Sequence, residues 1–147
     1  MSRQLCTFYL NGLYIGVDVT RVQEVIRYQE MTRVPLAAPE VRGLINLRGQ
    51  IVTAIELRTR MGFPPRPDSQ LPMNVVIRAS WGNVSLLLDE IGDVVEVSEE
   101  MFERMPETIL ASMRDLFLGI YKLNQQLLLV LDTERAIGVS DPREVRN

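Results

Sequence analysis

Any chemistry in this chain has to be done with carboxylates and guanidinia. Its 147 residues hold 19 Asp and Glu and 16 Lys and Arg, but one cysteine and no histidine. Without histidine there is no Ser-His-Asp triad, no Cys-His pair and no imidazole proton shuttle. Structural zinc sites are excluded as well, because they need several Cys or His ligands. The lone thiol, Cys6, closes no disulfide within the chain, which agrees with a reducing compartment, and it reads as a small buried hydrophobe. The adjacent carboxylates Asp89-Glu90 and Glu99-Glu100 are the remaining acid–base candidates. Neighbours on a strand point to opposite faces, so Asp89 and Glu90 do not share a site. The expectation is a non-enzyme with no cofactor and no metal.

One cation stands out. Arg48 lies in Asn46-Leu47-Arg48-Gly49, beside a glycine turn, and a guanidinium there can fork onto a carboxylate as lysine cannot. Gly43 and Gly49 read as turn residues whose conformation a Cβ would strain. Asn46 reads as holding the turn through side-chain hydrogen bonds.

Charge is spread unevenly. Residues 1–66 carry a net +4 and residues 67–147 a net −7, giving −3 in all. Between positions 90 and 107, seven acids face the single cation Arg104, a pattern read as a solvated acidic face. Aromatics are 6% of the chain, and neither they nor the charge suit nucleic acid, which wants a basic stripe with stacking rings. No run approaches the roughly 20 apolar residues of a spanning helix. The opening residues lack the pattern of a signal peptide, so a cytoplasmic location is expected.

The elements that would position these groups are mostly strands. Leu5–Leu10 and Leu13–Asp18 flank Asn11-Gly12, a type I′ hairpin signal that pairs Phe8 with Ile15 and Tyr9 with Tyr14. Thr20 and Gln23 form a capping box, and Val22, Val25 and Ile26 an i, i+3, i+4 stripe, which predicts a helix to about Tyr28. Met31–Val34, Leu44–Leu47 and Gln50–Leu57 follow as strands, then one helical turn ended by Gly62. The loop 62–72 holds four of the eight prolines and is the expected hinge between sub-domains. Met73–Ala79, Val84–Leu88 and Ile91–Val97 resume the strands, with Trp81 packing at a hairpin end. Ser98 is expected to cap a short acidic helix. A final hairpin, Leu116–Leu123 with Gln126–Leu131, precedes a turn capped by Asp132 and a polar tail expected to fray from Gly138 onward. About nine or ten short strands with only short helices argue for an all-β fold built of barrels.

Several of these segments together resemble the bacterial chemotaxis coupling protein CheW family. The matching pieces are Gly16-Val-Asp-Val19 ahead of Val22-Gln-Glu-Val25, Thr32-Arg-Val-Pro35, Pro39-Glu-Val-Arg-Gly43 and Asn46-Leu-Arg-Gly49. Leu88-Asp-Glu-Ile-Gly-Asp-Val94, Leu118-Gly119 and Leu127–Asp132 continue the likeness, which spans residues 5–137. It implies one domain over residues 1–147 made of two packed five-stranded SH3-like barrels, with the chain crossing between them. It implies a non-enzymatic adaptor with two partners: the regulatory domain of a CheA-type histidine kinase, and the cytoplasmic tip of a chemoreceptor. The membrane would be reached only through that receptor. Val19, Val22, Ile91 and Val94 correspond to the family's receptor groove, though core aliphatics look the same. Gly43 lies where partner surfaces converge, and the likeness favours an ion pair between Glu24, on the predicted helix, and Arg48. Thr53 stands where many members carry proline, read as a local change on an edge strand, and Glu90 stands where the residue is often small.

Besides an enzyme working with carboxylates alone, which needs a deep cleft holding two of them with their pKa values pushed apart, two rivals stay open on the sequence alone. One is the same coupling role in a non-flagellar chemosensory pathway, such as pilus motility, second-messenger control or development. The other is a small-ligand-binding β-barrel, which needs a sizeable dry interior pocket.

Overall fold

The computed structural model describes residues 1–138; apart from Gly138, the tail expected to fray lies outside them. The first hairpin pairs β1 (Ser2–Leu10) with β2 (Leu13–Asp18), Phe8 opposite Ile15 and Tyr9 opposite Tyr14. Asn11 and Gly12 both have positive φ, +50° and +81°, the backbone of a type I′ turn. Tyr9 and Tyr14 stack with ring centroids 5.1 Å apart.

The predicted helix after Thr20 is instead a 3-10 turn, Val19–Arg21, followed by a strand, β3 (Val22–Ile26). Asp18 rather than Thr20 caps the turn, its Oδ1 accepting from the Thr20 N–H at 2.9 Å. Val22, Glu24 and Ile26 are half-buried and Gln23 and Val25 exposed, a period of two. Three β-branched residues in five favour a strand once a partner is available, and β6 supplies it, pairing antiparallel with β3.

The chain continues through β4 (Val41–Leu47), β5 (Gln50–Glu56), α1 (Leu57–Arg60), β6 (Met73–Ala79), β7 (Gly82–Leu88) and β8 (Glu90–Ser98). It ends with β9 (Phe102–Glu103), α2 (Ala111–Arg114), β10 (Phe117–Lys122), β11 (Leu127–Leu131) and α3 (Thr133–Ile137). Met31–Val34 is not a strand; only Thr32 bridges, exchanging hydrogen bonds with Leu44 at 2.9 and 2.7 Å. Ser98 makes no side-chain cap to the 3-10 turn Glu99–Met101, whereas Asp132 does cap α3 through the Arg135 N–H.

The strands form a six-stranded sheet, β8-β1-β2-β11-β10-β9, and a five-stranded sheet, β3-β6-β7-β5-β4. The sixth strand, β9, is two residues long, which is how two five-stranded barrels become a six and a five. The sequence of elements starts in the six-stranded half, builds the whole five-stranded half from β3 to β7, and returns with β8. The passages between halves are Val19–Arg21 and Asp89. Loop 62–72, expected as the hinge, joins α1 to β6 within the five-stranded half.

Side-chain alternation builds three cores. Along β7, Val84, Leu86 and Leu88 face a core shared by the halves, with Phe8, Ile15 and Val17 from one and Ile55, Val75 and Ile77 from the other. Leu87 faces the opposite way, onto Ile45 and Ala54. Leu5, Val97, Tyr121, Leu128 and Val130 fill the inside of the six-stranded half. Trp81 packs against the edge of the shared core. Thr53 is 1% exposed and its Oγ1 has no hydrogen-bond partner among the described residues. It is not at an edge, because β5 lies between β7 and β4.

Candidate functional site

The β4–β5 hairpin positions Arg48. Arg48 and Gly49 take φ of +53° and +86°, a second type I′ turn. Left-handed backbone is free for glycine but costs about 1–2 kcal/mol at a residue with a Cβ. The turn is held by Asn46, whose Oδ1 accepts from the Gly49 N–H at 3.0 Å, and by Leu47, packed on the Ile45–Ala54–Leu87 core.

The Arg48 guanidinium donates through Nη1 to Glu24 Oε2. Glu24 sits on β3, not on a helix, and that placement gives the contact its meaning. Strands β3 and β4 are the two edges of the five-stranded sheet, so the pair reaches from one edge to the turn at the other. The Thr32–Leu44 bridge closes the same seam in backbone. Gly43 permits it: a Cβ there would stand 2.6 Å from Thr32 O and 3.1 Å from Met31 Cβ. Gly43 is therefore a close-approach glycine at a β4 bulge, whereas Gly49 is the turn glycine.

The four groove candidates follow the two passages between halves. Val22, opposite Ile77, and Ile91, opposite Phe8, are half-buried and pack on the shared core from opposite halves. Val19 is half-buried in the 3-10 turn, and Val94 is 57% exposed on β8. The structure thus divides them into two that rim the core, one in the passage and one free to be covered.

What the sequence reading missed is a buried cluster of four charges. Arg58 forks onto Asp89, with Nε to Oδ1 at 3.0 Å and Nη2 to Oδ2 at 2.7 Å. Arg66, from the proline-rich loop, gives Nε to Asp89 Oδ1 at 2.8 Å and forks onto Glu56 at 2.8 and 3.1 Å. Their side chains are only 5–10% exposed. Burial pushes the Asp89 carboxyl up, but hydrogen bonds from Arg58, the Asn11 N–H and Arg66 outweigh it and hold Asp89 below the usual carboxylate value. One acid closing the apolar run of β5, Glu56, one arginine in the helical turn after it, Arg58, and one arginine among four prolines were the available signals.

This arrangement pairs each buried carboxylate with a guanidinium, which binds and orients. Among the described residues no group of three or more acids or cysteines is placed to hold a metal, and no helix is long and apolar enough to cross a membrane. Both sheet interiors are filled by side chains. An open cleft of about 850 Å³ lies outside them, lined by Tyr28, Met31, Arg33, Leu36 and Arg42 among others.

The model of the CheW-like domain family matches residues 4–140. Chemotaxis protein CheW of Bacillus subtilis is 29% identical over 136 residues, covering 92% of this chain and 87% of that protein. Chemotaxis protein CheW of Klebsiella aerogenes is 27% identical over 149 residues, covering 100% and 89%. The crystal structure of the scaffolding protein TtCheW from Thermoanaerobacter tengcongensis superposes with a TM-score of 0.85, covering 99% of this chain and 98% of that one at 23% identity.

Proposed function

The chain belongs to the CheW-like domain family, and from that premise we propose that it is a non-enzymatic adaptor coupling transmembrane chemoreceptors to a CheA-type histidine kinase. The observation that supports this most is that the family match runs through both halves, from β1 to α3. A two-sided adaptor needs both halves and the junction between them. On this reading one surface docks on the kinase regulatory domain. The aliphatic positions in or just after the passages, Val19, Val22, Ile91 and Val94, receive the helical tip of the receptor, as a helix lies in an apolar groove on a few anchors. Work is done in the cytoplasm, at the membrane only by recruitment to receptors. The turn Asn46–Gly49 and the Glu24–Arg48 pair shape the five-stranded half for its partner, with Gly43 beneath.

The test is kinase autophosphorylation on membranes bearing the cognate receptor, with and without the protein. Activation that depends on the protein, and that weakens in a folded Arg48→Ala variant, is the expected result. Absence of binding to both kinase and receptor at tens of micromolar would overturn the proposal.

A further inference from the structure

Asp89 alone separates β7 of the five-stranded half from β8 of the six-stranded half. Its backbone N–H donates to Tyr9 O at 3.1 Å, and its Oδ2 accepts from the Asn11 N–H at 2.8 Å. Both partners belong to the first hairpin, in the six-stranded half. The same carboxylate takes Arg58 from α1 and Arg66 from loop 62–72, both in the five-stranded half. One side chain thus receives hydrogen bonds from each half and uses the roughly four lone-pair positions a carboxylate offers. The network reaches further into the five-stranded half: Arg58 Nη1 donates to Pro64 O at 3.0 Å, and Arg66 forks onto Glu56. The charges balance, two acids against two guanidinia. An apolar contact of equal size could supply as much stability, but it would not fix direction as planar forks do.

We propose that Asp89, Arg58, Arg66 and Glu56 form a positioning cluster that sets the orientation of one half on the other, and that this orientation carries receptor state to the kinase. The second clause rests on the coupling role proposed above. None of the four is among the residues assigned above to a partner, so breaking the cluster is expected to separate coupling from binding.

The experiment uses spin labels on cysteines placed at Ser80 and Asn124, exposed turns of the two halves, in a Cys6→Ser background. The inter-label distance distribution is measured by electron–electron double resonance. It is narrow in the parent and broadens in Asp89→Asn and in the double variant Glu56→Gln/Arg66→Met, which removes one arm as a matched pair and leaves the Arg58–Asp89 fork. In the double variant, affinity for kinase regulatory domain and for receptor each stays within about twofold, as for a distant change. Receptor-dependent activation falls about tenfold or more, the range of an allosteric coupling. Unchanged distance distributions, or full activation despite broadening, overturn the proposal. If Asp89→Asn does not fold, the double variant decides alone. If the parent binds neither partner, the coupling role fails, and the distance measurement still decides whether the cluster orients the halves.

Discussion

The chain passes between its halves twice, and an aspartate stands at each passage in very different surroundings. Asp18 ends β2 and accepts from Thr20 N and Oγ1 at 2.9 and 2.7 Å and from Arg3 Nη2 at 3.1 Å. It is 30% exposed and its arginine 25%. Asp89 is 10% exposed, with partners at 10% and 5%. Water competes for the first set of bonds and is kept from the second. A surface ion pair is worth about 0–1 kcal/mol, while removing one member of a buried pair costs about 3–5 kcal/mol because the other charge is left stranded. The first passage is fastened locally, as a turn is; the second holds a loop, a helix and a hairpin on one carboxylate.

The comparison breaks most directly by truncation. Asp89→Ala is expected to lose about 3–5 kcal/mol in denaturant unfolding, and Asp18→Ala about 1 kcal/mol, the worth of a cap. Equal losses would show that burial does not separate the two passages. Acid titration sharpens the contrast. Both carboxyls are held below their ordinary value: burial raises each, and it is outweighed at Asp18 by Thr20 and Arg3 and at Asp89 by Arg58, the Asn11 N–H and Arg66. A depressed folded value means stability that is complete above the unfolded carboxyl range, about pH 4, and is lost as pH falls through the folded value. Asp89→Asn should flatten the acid limb of a stability–pH curve more than Asp18→Asn does.

Smaller effects extend the same scale. Arg48→Ala removes a pair whose arginine is 74% exposed, so a melting curve should record little change even where receptor-dependent kinase activation drops. Thr53→Val is the smallest. It replaces a buried hydroxyl lacking a partner, and unfolding should show no change or a gain of up to about 1 kcal/mol. A large loss there would mean the hydroxyl is satisfied after all.

The sequence made local chemistry legible and left distant pairing hidden. Asn11-Gly12 settled a hairpin with its register, because a type I′ turn allows one pairing. Gly62, at φ +77°, and Asp132 marked helix ends through groups within a few residues of them. The stretch 20–28 misled because Val22, Val25 and Ile26 satisfy a helical stripe, while the strand that captures them, β6, begins at Met73. Gly43 was read as a turn residue because the bridge that crowds it, from Thr32, belongs to no strand. The charge cluster was missed for a similar reason. Arg58 and Asp89 are 31 residues apart, and Asp89 drew notice only beside Glu90, which faces elsewhere. Arg48 and Glu24 were matched through likeness to the family, although the element carrying Glu24 was misjudged.

The nested order of the strands has a consequence for synthesis. When Leu88 leaves the ribosome every strand of the five-stranded half exists, whereas β1 and β2 still lack β8 and β11, their outer neighbours. At translation speeds of ~5–20 residues per second, the first hairpin waits roughly 5–20 s for β11. From Leu88 until β8 follows, the finished middle of the chain is the apolar surface offered to that hairpin, a template on which both ends can assemble.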